Sequence, residues 1–244
     1  MKKYGLIGFP LTHSFSKKYF TEKFEKIGLS HTHQYDLYEI ENATDLLEIL
    51  NSNPEIDGIN VTIPHKQSVM PLLSSLDQSA EKVGAVNVIK KTSNGLIGYN
   101  SDYYGFRKSL LDFLNGAKVS NAMILGYGGA AKAVKAVLKD LGIFVTVVSR
   151  QASDTAISYE EANSLLSLHH LIINCSPVGT YPNADQCPSI NYKSLSTNHF
   201  LFDLVYNPTE TLFMKNGLEM GAKVKNGYDM LVHQAEKSWE IWNQ

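Results

Sequence analysis

Two spacings of apolar residues alternate along this chain. Residues 4–7 form a short apolar run ending in Gly8-Phe9-Pro10. From Ser14 onward, Tyr19, Phe20, Phe24 and Ile27 recur at helical intervals until Gly28. The first pattern predicts a strand and the second a helix stopped by a glycine. Strand-like runs over 34–40 and 56–62 then flank a helical stretch over 43–50. Pro64-His65-Lys66 opens a further helical stretch, residues 76–83 form another, and 86–90 with 96–99 read as a hairpin across Ser93-Asn94-Gly95. A helix from about Asp102 to Leu114 follows. Later, 159–166 is helical, 171–174 a strand, 177–188 a loop, 200–205 a strand, 211–220 a helix, 223–224 a short strand and 228–242 the last helix. Such alternation predicts an α/β protein.

The stretch over 122–150 organises the second half. Residues 123–125 are apolar, Gly126-Tyr127-Gly128-Gly129 is a turn, and Ala133, Val134, Val137, Leu138 and Leu141 lie at helical spacing. Gly142 ends that helix, and 143–148 is a β-branched and aromatic run suited to a buried parallel strand. Strand, glycine turn, helix and strand make a βαβ unit. Gly126, Gly128 and Ala131 occupy the three positions of a dinucleotide fingerprint, where a tight turn, a close approach to pyrophosphate and close helix packing are needed. An NAD site usually carries an acid at the end of the second strand, whereas here Val148-Ser149-Arg150-Gln151 carries none until Asp154. Arg150 suits a ribose 2′-phosphate, so NADP is the expected cofactor.

The layout predicted is two α/β domains. One covers residues 1–101, with the helix over 228–244 returning to it through Leu231, Ala235, Trp239 and Trp242. The other, over 102–227, is a Rossmann-type dinucleotide-binding domain. A cleft between them is the expected active site.

Composition narrows the partners. With 22 basic and 24 acidic residues in 244, the net charge is −2, and no basic run suggests nucleic acid or an anionic membrane. No apolar run approaches the ~20 residues of a membrane span. Cys175 and Cys187 form no CxxC pair, and no signal-peptide pattern precedes the first strand, so a cytoplasmic protein with free thiols is expected. His31 with His33, and His169 with His170, lack a third ligand at metal-like spacing; they read as surface residues, and no metal is expected.

Several polar residues sit where open α/β sheets place ligands. Ser14 and Ser16 begin a helix, where they either cap it or hold an anion. Asn60 and Thr62 alternate along a strand toward one side, with Lys66 a turn later. Asn87 follows Gly84-Ala85-Val86. Asp102 stands in Gly98-Tyr99-Asn100-Ser101-Asp102, where a helix N-cap is its rival role.

Together these segments resemble the shikimate dehydrogenase family. The matching motifs are GFPLTHSFS, NVTIPHK, GAVN, GYNSDYYGF, LGYGGAAKA, NCSPVGT, DLVYNPTET and GYDMLVHQA, in the family's order over nearly the whole chain. The resemblance implies reversible NADPH-dependent reduction of 3-dehydroshikimate to shikimate, on the route to aromatic amino acids. It implies that Lys66 and Asp102 are the catalytic pair and that Ser14, Ser16 and Tyr206 hold the substrate carboxylate. Thr62, Asn87, Asp102 and Gln234 would hold ring hydroxyls, with Asn60 in support. Gly126, Gly128, Gly129, Ala130, Ser149, Arg150, Asn174 and Gly227 would form the NADP site. The molecule would be a monomer or homodimer.

Three departures from the family pattern stand out. Lys17 replaces a common proline, Ser101 replaces a threonine, and Ser149-Arg150-Gln151 stands where Asn-Arg-Thr is usual, which predicts a modest rather than absolute preference for NADP. The alternatives are a quinate/shikimate dehydrogenase with broader substrate or cofactor use, and a non-catalytic NADP-binding regulatory protein on the same fold. The intact Lys66 and Asp102 pair argues against the second.

Overall fold

The structure, a computed structural model, describes residues 1–11 and 14–244. Thr12 and His13, inside the GFPLTHSFS match, lie outside the described residues. The chain divides into two compact units, Met1–Tyr104 with Gln234–Gln244, and Gly105–His233.

The first unit is built on a six-stranded sheet. Its elements are β1 (Lys2–Gly8), α1 (Phe15–Lys26), β2 (His33–Glu39), α2 (Asp45–Ser52), β3 (Ile56–Val61), β4 (Ser75–Leu76), α3 (Gln78–Val83), β5 (Val88–Thr92), β6 (Gly95–Tyr99) and the start of α4 (Ser101–Leu114). The strand order is β2-β1-β3-β5-β6-β4. β1 pairs in parallel with β2 and β3, while β5 runs antiparallel to β3 and forms the predicted hairpin with β6. Both faces of the sheet are covered, so β1 is buried from Tyr4 to Gly8 and β3 from Gly58 to Val61. Leu46 and Leu50 of α2 join Ile7, Ile59, Val61 and Ile89 in one core cluster. Phe20 and Phe24 of α1 join Tyr4, Tyr35, Ala235 and Trp242 in another. Trp242 stacks on Tyr4 with ring centroids 4.7 Å apart and donates its indole N–H to the Ile89 carbonyl at 3.1 Å. A Cβ at Gly58 would strike that indole, so the glycine makes room for the end of the last helix.

The second unit carries a five-stranded, all-parallel sheet of order β11-β10-β9-β7-β8. Its strands are β7 (Asn121–Leu125), β8 (Phe144–Val148), β9 (Leu171–Asn174), β10 (Phe200–Asp203) and β11 (Lys223–Lys225). The connecting helices are α5 (Gly129–Asp140), α6 (Tyr159–Leu165) and α7 (Leu212–Glu219), and α8 (Tyr228–Trp242) closes the chain. α5 buries Ala131, Ala133, Val134, Val137 and Leu138, the apolar face predicted from its spacing. After β7 and β8 the chain crosses to β9 on the other side of β7, so the carboxyl end of β7 is a topological switch point.

Two expectations fail. The stretch after Pro64 is a series of turns and a short 3-10 segment over Met70–Leu72 rather than a helix. It is held instead by long-range bonds, including Val86 N–H to the Lys66 carbonyl at 2.7 Å. The second failure is His169, which is buried rather than superficial. Its ring nitrogens lie 2.8 Å from Thr146 Oγ1 and 2.9 Å from the Leu165 carbonyl. His33, half-buried, stacks against Tyr4. Among the described residues no helix is long and apolar enough to cross a membrane.

Candidate active site

Lys66 lies in the turns after β3 and Asp102 in the first turn of α4. Their side chains meet, Nζ to Oδ2, at 2.6 Å. The lysine is 24% exposed and the aspartate 15%, so the pair is shielded from bulk water yet reachable by a small molecule. Asp102 does not cap α4. Asn100 does, accepting the Tyr103 N–H at 3.0 Å through its Oδ1 while its Nδ2 donates to the Ala85 carbonyl at 2.9 Å. The Asp102 carboxylate is left to Lys66.

Beside them in the first unit lies a buried polar network. Asn60, near the end of β3, accepts the Tyr35 hydroxyl at 2.8 Å and donates to the Asn87 carbonyl at 3.1 Å and to Ser238 Oγ at 3.0 Å. Asn87 accepts the Ser101 backbone N–H at 2.6 Å and donates to Ser101 Oγ at 3.0 Å. Gln234 Oε1 lies 3.3 Å from Ser101 Oγ. Buried amides need such partners, and here each partner also fixes the direction in which the amide is presented. Two members were not anticipated. Tyr35 and Ser238 carry no motif of their own, although Ser238 stands one helical turn after Gln234 and so shares its face of α8. Ser101, noted only as a departure, is the hub linking Asn87, Gln234 and Ser238.

Thr62 follows β3 directly, its N–H bonded to the Ile7 carbonyl at 2.9 Å. Ser14 is the N-cap of α1, accepting the Lys17 N–H at 3.2 Å, and Ser16 sits half-buried in the first turn. Capping uses a lone pair of Ser14 and leaves its proton to donate. Lys17 itself reaches back to the Tyr35 carbonyl and to Asp36 Oδ1, the latter at 3.0 Å, tying the start of α1 to β2.

Tyr206 belongs to the second unit and is 38% exposed on the loop after β10. That loop is anchored by Asp203, fully buried at the end of β10, which accepts from Asn174 Nδ2 (2.9 Å), Val205 N–H (3.0 Å) and Thr211 Oγ1 (2.6 Å). Burial pushes the carboxyl up to about 6, against the opposing pull of these three donors. Asn174 spends its whole amide internally: Nδ2 also meets the Val178 carbonyl at 3.2 Å, and Oδ1 accepts from the Ser176 N–H and hydroxyl at 3.1 and 2.7 Å. Its side chain therefore shapes the loop after β9.

The glycine turn follows β7. Gly126 has φ +110°, and a Cβ there would stand 3.1 Å from the Ser176 nitrogen, so both conformation and space require glycine. Around Gly128 and Gly129 a Cβ would meet nothing within 4 Å, leaving the N-terminus of α5, with Ala130 in its first turn, open to an anion. Ser149 and Arg150 follow β8 and line a cavity of about 670 Å³ with Tyr127, Gln151, Ser153 and Ala156. No carboxylate pairs with Arg150 among the described residues. These features fit a dinucleotide bearing a 2′-phosphate. Gly227 is buried just before α8, packed against the Leu204 backbone.

Known proteins resemble this chain in sequence and in fold. The family model described as the shikimate dehydrogenase substrate binding domain matches residues 6–89. A shikimate dehydrogenase (NADP(+)) of Clostridium beijerinckii is 39% identical over 254 residues, covering 100% of this chain and 93% of its own. Among solved structures, a chorismate mutase/shikimate 5-dehydrogenase fusion protein from Clostridium acetobutylicum is 39% identical with a TM-score of 0.87, covering 100% of this chain and 91% of that one. A shikimate dehydrogenase in complex with NADP+ is 31% identical with a TM-score of 0.82, covering 99% and 90%.

Proposed function

The chain belongs to the shikimate dehydrogenase family, and from that premise we propose that it catalyses the reversible, NADPH-dependent reduction of 3-dehydroshikimate to shikimate with Lys66 and Asp102 as its catalytic pair. The observation that carries this reading is the 2.6 Å contact between the two side chains, half-shielded beside a fully bonded network of amides and hydroxyls.

Reducing a ring ketone adds a hydride to carbon and a proton to oxygen. NADPH, when bound, supplies the hydride. Lys66 supplies the proton from its ammonium and stabilises the alkoxide as charge develops on it. Asp102 holds the amine in place, its carboxylate accepting from Nζ, and regaining a proton from water resets the lysine. In the reverse direction Lys66 takes the proton from the hydroxyl. Thr62, Asn87, Asp102 and Gln234 hold the ring hydroxyls, with Asn60 in support, and Ser101, Ser238 and Tyr35 orient Asn87, Asn60 and Gln234. Ser14, Ser16 and Tyr206 take the carboxylate, which suits hydroxyls at a helix start. Gly126, Gly128, Gly129, Ala130, Ser149, Arg150, Asn174 and Gly227 belong to the NADP site, Ser149 and Asn174 through the loops they shape. That the enzyme works in the cytoplasm as a monomer or homodimer, without a nucleic-acid partner, is part of the same proposal.

Steady-state assays with shikimate and quinate, each against NADP and NAD, test the reading. Highest kcat/KM for shikimate with NADP is expected; higher kcat/KM for quinate, or no turnover of either, would overturn it.

A further inference from the structure

We propose that Tyr127 is a specificity-determining residue for the cofactor, donating its phenolic hydroxyl to the ribose 2′-phosphate beside Arg150. This rests on the NADP reading above and adds a residue that no part of that reading uses. Tyr127 occupies the second position of the Gly126-Tyr127-Gly128-Gly129 turn, and a large aromatic ring there is 60% exposed.

The sheet explains why the ring matters. β7 and β8 are parallel neighbours with Leu125 opposite Val148, and the residues two beyond each, Tyr127 and Arg150, line one cavity of about 670 Å³. A dinucleotide whose pyrophosphate lies over the glycine turn carries its adenosine ribose toward the end of the second strand, so a 2′-phosphate falls among these side chains.

Donor counting then points to the phenol. A phosphate group presents three strongly accepting oxygens, and a bidentate guanidinium satisfies two. Ser149 does not supply the rest, because its hydroxyl donates to the Gln151 carbonyl. Ser153 accepts the Thr155 N–H at 3.3 Å and lies 3.4 Å from the Thr155 hydroxyl, so its proton and the Gln151 amide are further donors in the lining, and the Tyr127→Phe comparison below separates the phenol from them. Neither the Tyr127 hydroxyl nor the Arg150 guanidinium has a hydrogen-bond or ion-pair partner among the described residues. The cavity lining contains no carboxylate that would repel the phosphate.

Calorimetric binding of 2′,5′-ADP and of 5′-AMP to the full chain and to Tyr127→Phe, Tyr127→Ala and Arg150→Ala tests the assignment without turnover. Losing one hydrogen bond to a charged group predicts that Tyr127→Phe weakens 2′,5′-ADP roughly tenfold and leaves 5′-AMP unchanged. Tyr127→Ala should match Tyr127→Phe. Wild-type preference for 2′,5′-ADP that survives intact in Tyr127→Phe would overturn the tyrosine assignment alone. Equal weakening of both nucleotides in Tyr127→Ala, with none in Tyr127→Phe, would mean a ring stacked on adenine and would also overturn it. A wild-type chain with no preference between the two nucleotides would overturn the assignment together with the NADP reading beneath it.

Discussion

Lys66 and Asp102 can be separated from a merely structural ion pair by what their loss does. If Lys66 delivers the proton, Lys66→Ala should lower kcat by ~10² to 10⁴ while substrate still binds through the serines and asparagines. Asn100, rather than Asp102, caps α4. Asp102→Asn is therefore expected to cost turnover and affinity without unravelling the helix, and kcat, KM and Tm measured on one preparation check this. If the two act as one unit, the double variant should lose much less than the product of the single losses; strictly multiplicative losses would refute the pairing. Ser16 belongs to the same scale. Ser16→Ala should raise KM for shikimate roughly tenfold, the value of one hydrogen bond to a carboxylate, and an unchanged KM would remove it from the site.

Among elements, the loop after β10 is held by one buried carboxylate whose titration can be followed. Asp203 titrates at about 6 in the folded chain against 3.8 for an ordinary aspartate, because burial disfavours its charge. The folded state thus holds the proton more tightly than the unfolded state. Its contribution to stability is complete below about pH 4 and is lost as pH rises through 6. A displacement of this size corresponds to about 3 kcal/mol at ~1.4 kcal/mol per pH unit. Asp203→Asn keeps the shape and removes the charge, so its Tm measured from pH 4 to 7 should lack the wild-type decline attributable to this group. Parallel curves for the two proteins would contradict the assignment. On α8, Ser238 accepts from Asn60 and lies against Ser101. Ser238→Ala strands a buried amide proton at a cost of ~1 to 3 kcal/mol, a Tm loss of roughly 2–4 °C per kcal/mol for a chain of this length. Its kcat should fall less than that of Lys66→Ala, since the network orients substrate ligands without supplying the proton.

At the scale of the whole molecule, the proposed roles fall mainly into the two units, with Tyr206 of the second assigned to the substrate carboxylate. Every residue proposed to touch the ring or move the proton lies in the unit of Met1–Tyr104 with Gln234–Gln244, and the glycine turn and Arg150 lie in Gly105–His233. Cofactor choice is therefore testable independently of chemistry. Arg150→Ala should raise KM for NADP and leave NAD nearly untouched, since only the 2′-phosphate distinguishes them. Equal losses with both cofactors would make Arg150 a structural residue.

Local pattern alone determined the strands, most of the helices, the hairpin and the βαβ unit with its glycine turn, because hydrophobic periodicity and glycine conformation act over a few neighbouring residues. It also brought Lys66, Asp102 and Arg150 forward as candidates, and the family resemblance gave the first two their catalytic roles. What only the tertiary structure decided is how the polar groups share their partners. Pro64 and the residues after it read as a helix, yet long-range bonds, such as that from Val86 in the loop before β5 to the Lys66 carbonyl, hold them as turns. Capping of α4 passed from Asp102 to Asn100, which frees the carboxylate for Lys66. Asn174 turned inward to Asp203, His169 sank beneath Thr146, and Ser101 and Ser238 emerged as the supports of Asn87, Asn60 and Gln234. Apart from the cap, such outcomes depend on which donor meets which acceptor across 14 to 178 positions of chain. A buried polar atom is satisfied wherever the fold brings a partner, and no local spacing encodes that choice.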